Sequence, residues 1–444
     1  MSPSGTGRSS RPGLWIGRAA LAVLFAAMLL GGAVSAPEAL VLCILISVVA
    51  ALGWGASASP IPIRRLALPA LGLLLSLLVA VATTLPLFPN LARQGVFAPV
   101  GGAALSIAPS ATLVEAAKLG AIGCAFFCGV LSGGGRRTPA RLLTLSVALT
   151  TGWAVWSLLL LATTGGGRLD APFLSPNTAA TLLGAGCVLT LGRLLAQRPS
   201  RALRGRAAAA AAALAGAFAA QLFALLLTQS RAGAAVTVLA LAGLVVAMRA
   251  PGWRRSGPRR WVWPAAAVVA ALFVAEAARA VLVRLGALGG DAGDRWEIFA
   301  LYAGAFADAP VFGGGLGSAT YVTKLGLTAA NYDSLWNVQS AHNWLLQWLA
   351  EGGLAGALPM FGAVALVLWR TVRGLRATTA PLLLPLLFAD GVVLGHGLTD
   401  FGLQIPALAF YWSFLLGVQL AIAETSRERS GRAVGAGTVE ESPA

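Results

Sequence analysis

Apolar runs recur along this chain, each close to the roughly 20 residues that a helix needs to cross a bilayer. Twelve such runs are read, near 14–34, 38–56, 66–88, 111–132, 142–163, 177–192, 207–228, 232–248, 262–278, 345–369, 379–396 and 405–423. The repetition predicts an all-α polytopic membrane protein of about twelve transmembrane helices. Composition agrees: 57% of the 444 residues are hydrophobic and 11% are charged, where soluble domains carry about 25% charged residues. So few charges cannot cover a soluble surface, which excludes soluble globular, disordered and disulfide-rich secreted classes.

The net charge of +16 would point to nucleic acid if the basic residues formed a stripe. Instead they cluster between the apolar runs, as cytoplasmic loops do under the positive-inside rule, and no nucleic-acid partner is expected. With the N-terminus in the cytoplasm, all but eight of the 32 Lys and Arg residues fall on the inside, and both termini are cytoplasmic. The eight are Arg93, Lys118, Arg168, Arg231, Arg279, Arg284, Arg295 and Lys324. The first run also reads as a signal peptide ending at Val34-Ser35-Ala36, but Pro37 argues against cleavage, and the later topology is the same either way.

Residues 1–423 are expected to form one transmembrane domain, and the polar segment 424–444 a disordered tail. Two outside connections are long: a Pro/Gly-rich one at about 89–110, and one at about 279–344, between the ninth and tenth spans, that concentrates charge. The four cysteines, Cys43, Cys124, Cys128 and Cys187, sit inside apolar runs and read as packing residues. No Asp-x-Asp, His-x-x-x-His or Cys-His cluster suggests a metal, and no Gly-x-Ser-x-Gly nucleophile motif is present.

Chemistry must then rest on cations, carboxylates and imidazole. Both histidines fall at outer helix ends: His342 opens the tenth span and His396 closes the eleventh. Each reads as a helix cap or as a functional group. Arg231, in Gln229-Ser230-Arg231-Ala232-Gly233, occupies a short outer turn against the charge rule. It is either a snorkelling side chain or a fixed guanidinium for phosphate oxygens. Arg295 starts an amphipathic helix ending before Pro310 and either pairs with Asp294 or Glu297 or faces an anion. The run Gly313-Gly314-Gly315-Leu316-Gly317 is a turn or a small anion nest. Glu115 and Lys118, three residues apart, share a helix face and can pair. Glu351, Asp390 and Asp400 lie in or beside spans, where each marks an interhelical contact or a cavity.

Several stretches together resemble the O-antigen ligase/polymerase family. They are Asp294-Arg295-Trp296-Glu297, Asp308-Ala309-Pro310 with the glycine run, Ala341-His342-Asn343-Trp344 through Gln347, Glu351-Gly352-Gly353, Ser175-Pro176-Asn177, Ser230-Arg231, and His396-Gly397-Leu398-Thr399-Asp400-Phe401. They cover about 170–420; the first 110 residues match nothing in the pattern. The resemblance implies a bacterial inner-membrane glycosyltransferase whose active site faces the exterior and which uses neither metal nor cofactor. Its donor would be a glycan on undecaprenyl diphosphate, and its acceptor a hydroxyl of a lipid, a growing polysaccharide or a protein.

By the same resemblance Arg231 and Arg295 are diphosphate-binding residues and His342 is the catalytic residue. Asp294, Glu115, Lys118, Asn177, Asn343, His396 and Asp400 are supporting. Fixed cations would stabilise the departing diphosphate and imidazole would take the acceptor's proton, with Glu115, Asp294 or Asp400 as reserve; direct displacement inverts the anomeric centre. Two other readings remain: a transporter of a small anion such as bicarbonate, which should show midplane charges and broken helices in paired halves, and a subunit whose large loop only docks a partner.

Overall fold

The computed structural model describes residues 11–437, except 57–58, 88–94, 101, 136, 166, 174, 198–203, 250–290 and 377. Side chains 291–294 are outside this description, as is the expected ninth span at 262–278. Among the described residues the fold is wholly helical. The long helices are α1 (Arg11–Leu29), α2 (Ala36–Ala56), α3 (Ile63–Thr84), α4 (Pro109–Ser132), α5 (Thr138–Thr164), α6 (Pro176–Leu195), α7 (Arg204–Leu227), α8 (Arg231–Arg249) and α9 (Asp291–Asp308). Two short helices follow, α10 (Ala319–Leu325) and α11 (Tyr332–Leu335), and then α12 (Trp344–Arg373), α13 (Ala380–His396) and α14 (Pro406–Gly437). Ten of these are long and apolar enough to cross a membrane, and α13 is equally apolar but has 17 residues.

Lipid explains why the rows of exposed leucine, isoleucine and valine on α2 and α3, such as Val41, Ile44, Leu52, Leu68 and Leu78, carry no penalty. The centre is α14, nearly all of whose apolar length is buried, with α4 and α12 packed beside it. The α4–α14 crossing depends on two glycines. A Cβ on Gly129 would lie 2.0 Å from the Phe414 carbonyl oxygen, and one on Gly417 would lie 2.0 Å from that of Phe126. Small residues at reciprocal positions let two membrane helices approach backbone to backbone. The last helix does not stop where the polar segment begins. Glu424 is buried and pairs with Arg65 at 2.6 Å, and α14 runs on to Gly437.

A second, smaller core lies at the end of the bundle where α4 and α6 begin. Phe97, Ile298, Tyr302, Ala305, Val322, Leu335 and Ala350 pack together there. The two long connections of the sequence therefore meet: the Val96 N–H donates to Asp308 Oδ2 at 2.8 Å, and that of Ile107 to the Gly314 carbonyl at 2.9 Å.

The glycine run closes against α12, which is interrupted at Gly353 (φ 56°, ψ −168°). Into that break slides the segment 310–315. Gly314 and Gly315 N–H groups donate to the carbonyls of Ala350 and Glu351, while Leu354 and Ala355 N–H groups donate to those of Pro310 and Val311, all at 2.8–2.9 Å. The Glu351 carboxylate completes the seam by accepting from Gly317 N–H at 3.0 Å and Ala319 N–H at 2.8 Å. The broken helix is thus resealed by its own loop, which satisfies backbone groups that lipid would leave orphaned.

Candidate active site

The pole that carries the second core gathers the amino ends of α6, α8 and α12, and each arrives with a defined cap. Ser175 Oγ accepts from Thr178 N–H at 3.3 Å, Ser230 Oγ from Gly233 N–H at 3.3 Å, and Asn343 Oδ1 from Leu346 N–H at 3.0 Å. The helix dipoles place their positive ends here. The turn before α8 is held from behind, because Arg168 Nε donates to the Thr228 carbonyl at 3.0 Å and Gln229 Nε2 to that of Gly167 at 2.8 Å. Arg168, one of the eight basic residues off the cytoplasmic count, is therefore occupied in fixing the Ser230–Arg231 turn.

The two histidines differ in a way that assigns them different work. His396 is 1% exposed, with Thr181 Oγ1 2.8 Å from its Nδ1 and Ser230 Oγ 3.3 Å from its Nε2. Both ring nitrogens are engaged, so it ties α13 to α6 and to the Arg231 turn. His342 is half-buried, its Nδ1 has no hydrogen-bond partner among the described residues, and its ring stands edge-on to Phe401 with centroids 5.1 Å apart. Its backbone takes φ 49°, a region that non-glycine residues enter at a cost of about 1–3 kcal/mol when the surroundings hold them there. The surroundings here are the Asn343 cap behind it, the Phe401 ring, and the Trp344 N–H bonded to the Gly397 carbonyl at 3.0 Å.

Burial, aided by the nearby Arg295 charge, holds His342 at about 4, well below an ordinary imidazole, so at neutral pH it is uncharged and able to accept a proton. Asp400 lies in the turn between α13 and α14 and is fully buried. Burial lifts its carboxyl to about 6, against the Phe401 and Gly402 N–H groups, the Asn177 side chain and the Arg295 charge. Gly402 N–H reaches Asp400 Oδ2 at 3.0 Å, while Oδ1 has no hydrogen-bond partner among the described residues.

Arg295 is exposed on α9, and its charge is felt at His342, His396 and Asp400. Glu297, one of the two carboxylates expected to hold it, instead accepts from the Ser334 hydroxyl; the other, Asp294, has a side chain outside the described residues. Arg231 is exposed as the first residue of α8, one position from the serine that meets His396, and forms no ion pair with a described carboxylate.

The site therefore joins Asn177, His342, His396 and Asp400 with Arg295, and sets Arg231 and Asn343 at its edge. Glu115 and Lys118 do pair, at 2.6 Å, but the pair sits against Gly317 beneath the glycine run. No described contact joins it to the histidines. The anion-nest reading of that run fails: the N–H groups of Gly313, Gly314, Gly315 and Gly317 all donate to internal acceptors. Sequence reasoning missed Thr181. The available signal was its position four residues after Asn177, on the same face of α6.

Beneath the site an apolar cavity of about 490 Å³ runs down between α3, α4, α12 and α14. Trp344, Leu394 and Leu403 form its upper end and Leu66, Leu368 and Leu416 its lower one. Among the described residues no group of three or more His, Cys, Asp or Glu is placed to hold a metal ion.

None of the curated proteins matches the chain. Residues 216–361 match the family model described as O-Antigen ligase, a segment that takes in Arg231, Arg295, His342, Asn343 and the Gly353 break. Over that segment, about a third of its length, this membrane protein is similar to the O-antigen ligase family.

Proposed function

We propose that the protein transfers a glycan from undecaprenyl diphosphate to an acceptor hydroxyl on the outer face of a bacterial inner membrane, as a ligase or a polymerase. The observation that carries this reading is the pairing of an uncharged, half-buried His342 with the exposed Arg295, at a pole where three helix amino ends converge.

In this reading Arg231 and Arg295 hold the diphosphate, since a planar guanidinium suits two phosphate oxygens at once and a helix amino end adds to the attraction. The acceptor hydroxyl gives its proton to His342 as its oxygen bonds to the anomeric carbon. The bond from that carbon to the phosphate oxygen breaks, its electron pair leaves on the diphosphate, and the configuration inverts. Burial chiefly keeps His342 a weak base and the Arg295 charge adds to it; binding of the diphosphate offsets the Arg295 part, so the imidazole becomes more basic when donor is present. His396 positions the Arg231 turn, and Asp400 with Asn177 supports the floor. The apolar cavity below suits the hydrocarbon part of a lipid-linked substrate.

The test is turnover in bilayers with lipid-linked glycan and acceptor, followed by release of undecaprenyl diphosphate. Arg231→Ala, Arg295→Ala and His342→Ala should each lower kcat/KM by about 100-fold or more, as loss of a charge-stabilising or proton-transferring group does. Undiminished turnover in all three would sink the assignment. A small-anion transporter has no comparable support: the break in α12 is filled by segment 310–315, and its backbone groups there are already paired.

A further inference from the structure

Arginines also gather at the opposite end of the bundle. From Asn177 to Arg193 α6 covers 16 residue steps, about 24 Å along its axis. At that far end a cavity of about 670 Å³ opens between α1, α5 and α6. Arg18 of α1, Arg137 and Arg141 at the start of α5, and Arg193 line it, with Leu14 and Leu145 forming an apolar wall. Among the described residues no carboxylate lines it. The described carboxylates that form ion pairs at this end of the bundle, Glu424 and Glu428, are taken by Arg65 and Arg427.

Four guanidinium groups around one cavity repel each other, and nothing in the described protein neutralises them. Arg193 Nε is moreover buried with no hydrogen-bond partner among the described residues. A buried donor on a cation is costly unless an acceptor completes it. The missing acceptor is an anion, and the mixture of guanidinium with leucine and alanine at helix ends fits the depth at which a phospholipid headgroup meets its acyl chains.

We propose that this cavity binds the phosphate headgroup of an anionic phospholipid, in the leaflet opposite the candidate active site. The inference does not depend on the catalytic reading. A phosphodiester supplies oxygens for Arg193 Nε and for the forks of Arg141 and Arg137, while the glycerol and first methylenes lie on Leu14 and Leu145.

Full-length protein purified in detergent is titrated with phosphatidylglycerol or phosphatidylcholine, and retained lipid is counted by native mass spectrometry. A second arm adds inorganic phosphate alone. Wild type should retain phosphatidylglycerol over phosphatidylcholine by about tenfold or more. Arg141→Gln/Arg193→Gln should lose that preference, whereas Arg249→Gln/Arg376→Gln, with the same loss of charge at helix ends outside the cavity, should keep it. The proposal is overturned by a wild type with no preference, by equal loss in both double variants, or by inorganic phosphate competing as well as the lipid. The wild-type comparison stands even if a variant fails to fold.

Discussion

In a chain with so few charges, the candidate site residues stand out from sequence alone. With two histidines in the chain and few basic residues off the cytoplasmic count, His342, His396, Arg231 and Arg295 were the natural candidates. What the sequence did not show was the different setting of the two histidines, because that depends on hydroxyls contributed by other helices, Thr181 and Ser230. Each is an ordinary membrane-helix residue until it faces a ring. The assignment has a measurable consequence in pH. A base works only when unprotonated, so the acid limb of kcat/KM reports its proton affinity. If His342 is the base, activity in the free protein should hold until pH approaches about 4; if Asp400 is the base, it should fall near pH 6. Nitrogen-15 spectra of the two histidines, assigned with His342→Gln, give the same quantity directly. Arg295→Gln removes a neighbouring positive charge and should move the His342 midpoint upward. A midpoint at the ordinary imidazole value and indifferent to Arg295→Gln would contradict the description. The sign for stability follows: between the unfolded value near 6.5 and about 4, the unfolded chain binds the extra proton, so the His342 contribution falls as pH falls through that window.

At the scale of elements, hydropathy gave the long apolar helices among the described residues with shifts of a few residues at their ends, since a lipid-facing helix must be both long and apolar; the exception is α14, which runs 14 residues past the expected 423. It did not give the break in α12. The apolar pattern passes through Gly352 and Gly353 without change, and the segment that fills the break lies some 40 residues earlier in the chain. The joining of the two outer connections, through Phe97 and Asp308, was hidden for the same reason: the partners are distant and neither segment has a strong period. The break makes a sharp prediction. Gly353 adopts a backbone region that is essentially closed to other residues, and a Cβ there would lie 2.3 Å from the Val311 carbonyl oxygen. Gly353→Ala should cost about 2–4 kcal/mol, more than a surface change and in the range of strained or clashing sites. Thermal unfolding in detergent reads the loss. Gly362→Ala in the same helix, where a Cβ meets nothing within 4 Å, should be neutral or slightly stabilising. Equal melting of the two variants would mean that the helix is not broken there.

The molecule as a whole is a bundle with opposite poles, and each concentrates arginine that forms no ion pair with a described carboxylate. One is the site pole of Arg231 and Arg295 and the other the cavity of Arg18, Arg137, Arg141 and Arg193. The bilayer distinguishes the poles by charge count, because loops that stay in the cytoplasm accumulate Lys and Arg while translocated ones do not. The count of basic residues therefore predicts a direction for the two ends of the bundle. That direction decides whether the site meets a donor presented on the exterior. The chain carries its own clean background for testing it, because Cys43, Cys128 and Cys187 are buried and Cys124 is half-buried within the bundle. A single cysteine introduced at Lys324, beside the site pole, should react with a membrane-impermeant maleimide on intact inside-in spheroplasts. One introduced at Arg376, at the other pole, should react only after permeabilisation. Reversal of the two would place His342 in the cytoplasm, where a diphosphate held by Arg231 and Arg295 would have to come from the inner leaflet, and the proposed reaction would lose its substrate.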